Sequence, residues 1–352
     1  MKIAFVITTL SYGGAEQQLL LLCRGLKRNG HDIVVGYLKP GGELQKAFQI
    51  DNIPVRSFDM KSSFDFLVQS RIQDWLKEYS PDIVHTHLFK ADFYAGRAAL
   101  SLGIPLISTK HNLDQYLKQP LIAWLARDLA QRSRRIIAVS NAVRDYLIKV
   151  AGFRSEWIDV IRVGIEPILE TSQHVPGSRI RFGVVARLAK QKGHQLLLNS
   201  FHKAKQQHPE MELLLFGDGP LRNDLEAEVR ELHLQDSVRF MGTVLDPNNI
   251  YSQFDVCVLP SLWEGAPVVL LEAMARGIPL IATSVGGVPE MLSSDCGILV
   301  PPSDQDALTQ ALVRMNDDHE FRSMLSKAGP LRVRNFAFEK TLEMHLRIYG
   351  TI

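Results

Sequence analysis

The chain has 352 residues, of which 46% are hydrophobic and 22% are charged. These proportions are typical of a soluble globular protein and exclude a disordered tail, a collagen-like chain and a coiled-coil rod. The length predicts about two domains, and a net charge of +2 argues against nucleic-acid binding by charge alone. The three cysteines are far apart and odd in number, so they predict neither a disulfide framework nor a zinc site and suit a reducing cytosol.

The near-neutral total conceals a difference between the two halves of the chain. Residues 1–166 carry 22 basic and 16 acidic side chains, whereas residues 167–352 carry 18 and 22. A basic first half suits an acidic surface or substrate, although random variation of the surface explains the difference equally well. No stretch approaches the ~20 apolar residues of a membrane span, and the apolar run at 3–10 is too short for a signal peptide. We therefore expect a cytoplasmic protein.

Short apolar segments alternate with helical patterns along the first half. Strands are predicted at 2–8, 31–37, 83–87, 105–109 and 135–140, and helices at 15–28, 67–79 and 121–132. The first helix has Leu19, Cys23 and Leu26 on one face. This alternation predicts a parallel sheet with helices on both faces.

The pattern restarts after a stretch rich in glycine and proline at 162–177. Strands are predicted at 181–186, 212–216, 238–241, 256–259, 279–283 and 297–300, and helices at 194–207, 221–232 and 268–276. The fold class is therefore α/β with two doubly wound, Rossmann-like domains, 1–165 and 166–336, facing a cleft. Ligands bind at the carboxyl ends of such strands, so the cleft is the expected site. A helix at 338–349 lies in a last segment, 337–352, for which packing on the N-terminal domain is one option.

The most informative segment is 260–290, PSLWEGAPVVLLEAMARGIPLIATSVGGVPE. The residues that open its helix are predicted to form an anion site suited to phosphate: Gly265, Ala266, Pro267 and Val268. Glu264 and Glu272 would be about 12 Å apart if all eight residues were helical, which suits two ends of an extended ligand. A surface position on the helix is the alternative for Glu272.

Two candidate cations lie in the loop after the strand at 181–186. Arg187 and Lys192 should lie at the same edge of the sheet as the helix start near Ala266. Two cations and free amides can neutralise a diphosphate, including one that gains charge as a bond to it breaks. The alternative is that both side chains are solvated loop residues.

The first domain has candidates after three of its strands. Gly13 and Gly14 permit close approach of the backbone to a phosphate, or form a simple tight turn. Glu16 is a candidate on the acceptor side, or a helix-start carboxylate favoured by the helix dipole. His111 follows the strand at 105–109, with a satisfied structural histidine as the alternative. Asn112 and His87 are acceptor-side candidates, and a structural role is the alternative for His87.

Several motifs in order resemble the retaining glycosyltransferases of family 4, which have the GT-B fold. The motifs are Gly13-Gly14-Ala15-Glu16, Val139-Ser140-Asn141-Ala142-Val143, Gly183 to Gly193, Phe216-Gly217-Asp218-Gly219-Pro220, Glu264 to Glu272 as Glu-x7-Glu, and Gly286-Gly287-Val288-Pro289-Glu290. Each motif alone is weak, but their order covers nearly the whole chain.

The resemblance implies a role for each candidate. Arg187 and Lys192 would bind the donor diphosphate, Glu272 the ribose hydroxyls and Glu264 the donor sugar. Gly217 and Leu245 would lie near the base, and His111 would contact the donor sugar and help to stabilise the transition state.

No other motif competes with this interpretation. Neither glycine loop fits the dinucleotide-binding or the P-loop pattern. Asp304-Gln305-Asp306 is interpreted as a helix cap with a first-turn acid rather than a metal motif. The family's chemistry is metal-independent, so the resemblance implies no metal and no cofactor.

The implied function is transfer of a sugar, with retention, from a UDP- or GDP-linked donor to a hydroxyl. A lipid-linked saccharide, lipopolysaccharide or surface polysaccharide is the expected acceptor. Leu121, Leu125 and Leu129, followed by Arg132, Arg134 and Arg135, suggest contact with anionic lipid at the inner face of the cytoplasmic membrane, or a core-packed helix with a basic last turn. The alternative functions are a nucleotide-sugar epimerase of the same architecture and a non-catalytic nucleotide-sugar-binding subunit.

Overall fold

A computed structural model describes residues 1–40, 42–62, 65, 67–168 and 179–352. The chain divides into two compact units, which we call unit 1 (1–164 with 338–352) and unit 2 (165–337). Each unit is a parallel sheet with flanking helices, which confirms the predicted α/β fold class. Most of the predicted linker at 162–177 falls on residues 169–178, which lie outside the described residues.

In the described part of unit 1, seven parallel strands form the sheet: β1 (Lys2–Ile7), β2 (Asp32–Tyr37), β3 (Val55–Ser57), β4 (Ile83–His87), β5 (Leu106–Lys110), β6 (Arg135–Ala138) and β7 (Ile158–Val160). Their order is β3-β2-β1-β4-β5-β6-β7. Ile7 at the end of β1 is in register with Tyr37 of β2 and His87 of β4. The loops after these three strands therefore leave the sheet at one edge.

The helices of unit 1 are α1 (Gly14–Arg28), α2 (Gln45–Ile50), α3 (Leu67–Tyr79), α4 (Phe89–Ala91), α5 (Arg97–Ser101), α6 (Pro120–Arg132), α7 (Asn141–Ala151) and α15 (Phe338–Tyr349). A π-helix at Asp92–Gly96 joins α4 to α5. The sequence patterns did not predict this segment, α2, α4, α5, α7, β3 or β7.

Unit 1 has a core on each side of its sheet because side chains alternate along a strand. Ile3 and Phe5 of β1 pack with α1, whereas Ala4 and Val6 pack with α3 on the opposite side. Tyr349 of α15 belongs to the same core as Ile3.

Helix α15 packs closely on α1 within unit 1. A Cβ added at Gly25 of α1 would lie 2.9 Å from side-chain atoms of Phe338 and Leu342. Glycine at this position allows the two helices to approach. The hydroxyl of Thr341 also donates to the carbonyl of Arg162, at 2.9 Å.

In the described part of unit 2, six parallel strands form the sheet: β8 (Arg181–Val185), β9 (Glu212–Phe216), β10 (Val238–Gly242), β11 (Val256–Leu259), β12 (Leu280–Thr283) and β13 (Gly297–Val300). Their order is β10-β9-β8-β11-β12-β13. The helices are α8 (His194–Lys205), α9 (Arg222–Glu231), α10 (Pro247–Tyr251), α11 (Val268–Ala275), α12 (Val288–Met291), α13 (Gln305–Asp317) and α14 (His319–Val333).

The core of unit 2 joins the central strand β8 to helices α8 and α13. Phe182 and Val184 of β8 pack with Leu197 of α8 and Leu308 of α13, and all four side chains are fully buried. This packing fixes where β8 ends, and with it the loop that carries Arg187 and Lys192.

The Asp304-Gln305-Asp306 segment caps a helix, as interpreted from the sequence. The carboxylate of Asp304 accepts from the amide of Ala307 at 2.9 Å, and Asp306 pairs with Lys203 at 3.0 Å. Across the described ranges, no group of three His, Cys, Asp or Glu side chains is arranged to hold a metal ion. Within the same ranges, no helix has both the length and the apolar character needed to cross a bilayer.

Candidate active site

The strand order of unit 2 reverses between β8 and β11. From β8 the chain proceeds outward through β9 and β10, and it then returns to add β11, β12 and β13 on the other side. Ligands of open parallel sheets bind where the order reverses, beyond the carboxyl ends of the strands. The loops after β8 and β11, at 186–193 and 260–267, are therefore the place where this rule expects a ligand.

These two loops are bound directly to each other. The amide of Leu262 donates to the carbonyl of Gln191 at 2.7 Å, and the Gln191 side chain donates to the carbonyl of Trp263 at 2.8 Å. Gly193 has φ +66°, and a Cβ there would lie 2.0 Å from the carbonyl oxygen of Pro260. Only glycine satisfies both the backbone conformation and this close approach.

The turn after β9 packs on the other side of the 186–193 loop. The amide of Leu188 donates to the carbonyl of Asp218 at 3.0 Å. A Cβ at Gly217 would lie 2.2 Å from the carbonyl oxygen of Ala186, and one at Gly219 would lie 2.4 Å from that of Leu188. The glycine motifs at 183–193 and 216–220 thus serve to bring two loops into backbone contact.

The two candidate cations have different surroundings. The Arg187 side chain is exposed and has no ion pair or hydrogen bond among the described residues. Lys192 donates to Oε1 of Glu264 at 2.6 Å, with the two side chains 21% and 6% exposed. Arg187 is available to an anion as it stands, whereas Lys192 already neutralises a glutamate.

Glu264 is anchored through one carboxylate oxygen. Its Oε1 accepts from Lys192 and also from the hydroxyl of Ser261, at 2.6 Å. Its Oε2 has no hydrogen bond among the described residues. The sequence did not single out Ser261, and its position three residues before Glu264 was the available signal.

Glu272 is anchored in the same manner, through a residue that the sequence reasoning missed. Oε2 of Glu272 accepts from the hydroxyl of Tyr251 at 2.8 Å, while Oε1 has no hydrogen bond within the described part of the chain. Burial raises the pKa of the Glu272 carboxyl, and the Tyr251 hydrogen bond and the charge of Arg276 lower it. Glu272 is half-buried, so it does not lie freely on the helix surface.

The helix predicted at 268–276 is present, but the condition attached to the 12 Å separation of the two glutamates is not met. Helix α11 begins at Val268, and Pro267 before it has an extended backbone, with φ −73° and ψ 111°. Glu264 therefore precedes the helix, and the 12 Å separation expected for eight helical residues does not apply. In the first turn of α11 the amide of Leu270 donates to the carbonyl of Pro267 at 3.1 Å, whereas the amides of Val268 and Val269 precede the first hydrogen bond of the helix.

The base-side candidates lie on loops after neighbouring strands. The amide of Gly217 donates to the carbonyl of Gly242 at the end of β10, at 2.7 Å. Leu245 follows in the next loop and is 50% exposed. Both positions lie beyond the carboxyl ends of β9 and β10, at the same sheet edge as Arg187.

In unit 1 the strand order reverses between β1 and β4. The loop after β1 holds Gly13 and Gly14, and a Cβ at Gly13 would lie 2.6 Å from Oε2 of Glu16. The hydroxyl of Thr9 donates to Oε1 of Glu16 at 3.1 Å. Glu16 is only 9% exposed, so its carboxylate is packed under the glycine loop rather than extended into solvent.

Three histidines of unit 1, His85, His87 and His111, lie together. The ring of His85 lies 2.7 Å from both the Tyr349 and the Thr109 hydroxyls, which is a structural arrangement. Nδ1 of His87 lies 2.8 Å from Nε2 of His111, and His87 is 2% exposed. Burial is the main cause that lowers the pKa of His111, to about 3, so the ring is neutral.

The remaining acceptor-side candidate, Asn112, has a local contact. Its side-chain oxygen accepts from the amide of Leu113 at 2.9 Å. The structure thus brings His87 and His111 together and places Glu16 at the β1 loop of the same unit.

The predicted apolar stripe on α6 is only partly correct. Leu129 is 5% exposed and belongs to the core, whereas Leu121 is 67% exposed. Trp124, which the sequence analysis did not include, is 55% exposed. One face of α6 therefore packs in unit 1, and the other presents Leu121 and Trp124.

Two doubly wound parallel sheets, each with loops gathered at its topological switch point, define the GT-B class of fold. Two family models place the chain within this class. The model described as Glycosyltransferase Family 4 matches residues 12–168, and the model described as Glycosyl transferases group 1 matches residues 168–332. The chain therefore belongs to the family 4, group 1 glycosyltransferases, as the motifs indicated.

Two bacterial relatives span most of the chain. An Escherichia coli protein named UDP-Gal:alpha-D-GlcNAc-diphosphoundecaprenol alpha-1,3-galactosyltransferase is 28% identical over 295 residues, covering 78% of this chain and 76% of that protein. A Campylobacter jejuni protein named GalNAc-alpha-(1->4)-GalNAc-alpha-(1->3)-diNAcBac-PP-undecaprenol alpha-1,4-N-acetyl-D-galactosaminyltransferase is 25% identical over 365 residues, covering 100% and 99%.

Solved structures share the fold over the full length. The crystal structure of Anabaena Alr3699/HepE in complex with UDP and glucose has a TM-score of 0.88 at 20% identity and covers 100% of both chains. Sucrose-phosphate synthase from Thermosynechococcus elongatus has a TM-score of 0.81 at 20% identity, covering 100% of this chain and 99% of that one. At this identity the likeness supports the fold.

Proposed function

We propose that this glycosyltransferase moves a sugar from a UDP-sugar to a hydroxyl of a lipid-linked saccharide, with retention at the anomeric carbon. The observation that carries the proposal is the pair of half-anchored glutamates in unit 2. Glu264 and Glu272 each have one oxygen fixed by protein donors and one without a partner among the described residues. Two fixed carboxylates with open oxygens suit the hydroxyls of a sugar and of a ribose.

In this proposal the donor diphosphate binds beside Arg187, Lys192 and the first turn of α11. Their positive charge stabilises the departing diphosphate as the sugar bond breaks, without a metal or another cofactor. The leaving phosphate takes the proton of the acceptor hydroxyl, which attacks from the same face. On the family resemblance, His111 and Glu264 hold the sugar, and Glu16, His87 and Asn112 are assigned to the acceptor side.

The choice of donor and acceptor draws on the relatives. The Escherichia coli relative is named for a UDP-linked donor and a diphosphoundecaprenol acceptor, and the Campylobacter jejuni relative for an undecaprenol-linked acceptor. A water-insoluble acceptor favours a cytoplasmic protein that contacts the inner face of the membrane. We assign this contact to Leu121 and Trp124 of α6.

Arg187→Ala tests the donor site. We expect release of UDP from a UDP-sugar to fall at least a hundredfold, because Arg187 is the one of the two cations assigned to the donor diphosphate that has no partner among the described residues. Thermal stability should be unchanged because Arg187 is exposed. The matched control is Lys190→Ala, which removes an exposed cation from the same loop and should retain activity within about threefold. Wild-type turnover of Arg187→Ala would contradict the proposed site.

The same assay separates the alternative functions. A panel of UDP- and GDP-sugars with a lipid-linked acceptor should give free nucleoside diphosphate and a glycosylated lipid. An epimerised donor would indicate an epimerase, and binding without conversion would indicate a non-catalytic subunit. The anomeric configuration of the product, measured by NMR, tests retention.

A further inference from the structure

A buried tyrosine connects two helices of unit 2 at the carboxylate of Glu272. Tyr251 is the last residue of α10 and is 2% exposed, and its hydroxyl donates to Oε2 of Glu272 on α11 at 2.8 Å. Its ring packs edge-on against Phe254, with the ring centroids 5.6 Å apart. The hydroxyl is therefore held in place before any ligand arrives.

Arg276, at the end of α11, makes a second connection between the same two helices. The guanidinium of Arg276 lies 4.7 Å from the centre of the Tyr251 ring and donates to the side chain of Asn248 on α10, at 3.0 Å. Arg276 also donates to the backbone carbonyl of Glu272, at 3.0 Å. Two hydrogen bonds and a cation–π contact thus join α10 to α11, and the Tyr251 hydrogen bond holds the Glu272 carboxylate.

We infer that Tyr251 is a positioning residue for ribose recognition: it holds the Glu272 carboxylate so that its open oxygen accepts hydrogen bonds from the ribose hydroxyls of the donor. The inference rests on the proposed function, in which Glu272 contacts the ribose. It adds a residue for which neither the motifs nor the family resemblance implied a role.

Two physical effects give Tyr251 this role. A glutamate has three side-chain rotors, and fixing them in advance removes an entropy cost that the ligand would otherwise meet. The hydroxyl also stabilises the ionised carboxylate, which accepts stronger hydrogen bonds than the neutral acid. The groups that face this carboxylate are Tyr251 of α10, Cys257 of β11 and Arg276 at the end of α11.

These contacts predict how nucleotide affinity depends on pH. Burial raises the pKa of the Glu272 carboxyl, and loss of the Tyr251 hydrogen bond raises it further, because that hydrogen bond lowers it. Nucleotide affinity should therefore weaken as the pH falls and the carboxylate becomes protonated. In Tyr251→Phe this weakening should begin at a higher pH than in the wild type.

The experiment measures binding of UDP and of 2′,3′-dideoxy-UDP by calorimetry to four proteins. We expect Tyr251→Phe to weaken UDP binding about tenfold and to leave dideoxy-UDP binding unchanged, because the ribose hydroxyls are absent. Glu272→Gln should show the same pattern. Tyr349→Phe, which removes a hydroxyl of a similarly buried tyrosine in unit 1, should bind both nucleotides as the wild type does.

Three other results of this experiment would contradict the inference. If Glu272→Gln weakens UDP binding and Tyr251→Phe does not, the positioning role is overturned while the donor site stands. If Tyr251→Phe weakens the binding of both nucleotides equally, the substitution acts through general stability and the inference is also overturned. If the wild type binds no UDP, the proposed donor and this inference fail together.

Discussion

At the scale of single residues, the contact between Lys192 and Glu264 changes how the two should respond to mutation. From the sequence alone, Lys192 is expected to be an unpaired cation whose loss would leave the fold intact. The structure pairs it with a carboxylate that is 6% exposed. A buried carboxylate that loses its partner is destabilising because its desolvation is no longer offset.

We therefore predict that Lys192→Ala loses both stability and activity. The free energy of unfolding should fall by about 2 kcal/mol, less than for a fully buried pair because Lys192 retains some exposure. Urea denaturation measures the change, and Lys190→Ala is the matched control with an expected change below about 0.5 kcal/mol.

A second variant separates the two effects. Lys192→Met combined with Glu264→Gln removes both charges, so stability should recover while UDP release stays abolished. Recovery of turnover in the double variant would show that neither residue acts in transfer. An unchanged unfolding free energy in Lys192→Ala would show that the ion pair contributes nothing to the fold.

The His87–His111 pair limits what His111 can offer a ligand. Nε2 of His111 is engaged by Nδ1 of His87, and Nε2 of His87 has no hydrogen-bond partner among the described residues. A buried N–H without a partner is rarer than a buried acceptor without one. The favoured tautomer therefore has His87 donating from Nδ1, which leaves Nδ1–H of His111 as the donor that the proposed function would direct at the sugar.

At the scale of secondary-structure elements, α6 carries the proposed membrane contact. Leu121 and Trp124 lie three residues apart on one face and are both more than half exposed. Arg132 and Arg135 at the end of α6 and the start of β6 pair with Asp128 and Asp159. The apolar pair, rather than a cluster of free cations, is thus the main feature of this surface.

We predict that Leu121→Ser combined with Trp124→Ser weakens binding to phosphatidylglycerol vesicles at low salt by at least tenfold. Each buried apolar side chain contributes about 1.5–3 kcal/mol when it leaves water. Vesicle co-sedimentation measures the change, and turnover of a short water-soluble acceptor should be unaffected.

The matched control removes two apolar side chains of similar exposure from unit 2. Met324 and Leu331 of α14 are 50% and 61% exposed, so Met324→Ser with Leu331→Ser alters the surface to a similar extent. Equal weakening by both double variants would show that the effect is not specific to α6. Failure of the wild type to bind at low salt would remove the membrane contact altogether.

The elements show which features a sequence can predict. The bounds predicted for β4, β9, β11, β13, α3 and α15 agree with the structure because each has a clear apolar period and a flanking turn. The strands β3 and β7 were missed because three residues are too few to show alternation. Helix α14 was also missed, because it contains Pro330 and a proline normally ends a helical pattern.

In the candidate site, the positions of the loops could be predicted from the sequence, whereas the side-chain contacts could not. The loops at 186–193 and 260–267 were placed correctly because the carboxyl ends of parallel strands share an edge. The contacts of Glu264 with Lys192 and of Glu272 with Tyr251 join positions 72 and 21 residues apart. Such pairs depend on strand order and on the exact start of α11, and neither can be obtained from local periodicity.

At the scale of the whole molecule, the two units differ in their buried histidines. Unit 1 holds His85, His87 and His345 at 6% exposure or less, with His111 beside them. Burial lowers the pKa of His345 to about 4 and that of His111 to about 3, and it holds those of His85 and His87 well below the usual value. In unit 2, His194 is similarly buried, and burial lowers its pKa to about 4.

A histidine whose pKa is lower in the folded state binds fewer protons folded than unfolded. Its contribution is intact above the unfolded pKa of about 6.5 and is lost as the pH falls toward the folded value. At pH 5 His111 and His345, with folded pKa values of about 3 and about 4, each cost about 2 kcal/mol, and the buried His85 and His87 add a cost of the same sign. Such a cost is a large fraction of the stability of a typical domain, ~5–15 kcal/mol.

Unit 1 should therefore lose its structure at a higher pH than unit 2 on acidification. Hydrogen exchange followed by mass spectrometry, between pH 7 and pH 4, compares the units within one molecule, so unit 2 serves as the internal control. Peptides from 1–164 and 338–352 should lose protection together, because Tyr349 and His345 of α15 belong to the same buried cluster as His85. Peptides from 179–337 should stay protected to a lower pH. Earlier loss in unit 2, or loss of 338–352 without 1–164, would contradict the assignment of acid sensitivity to this cluster.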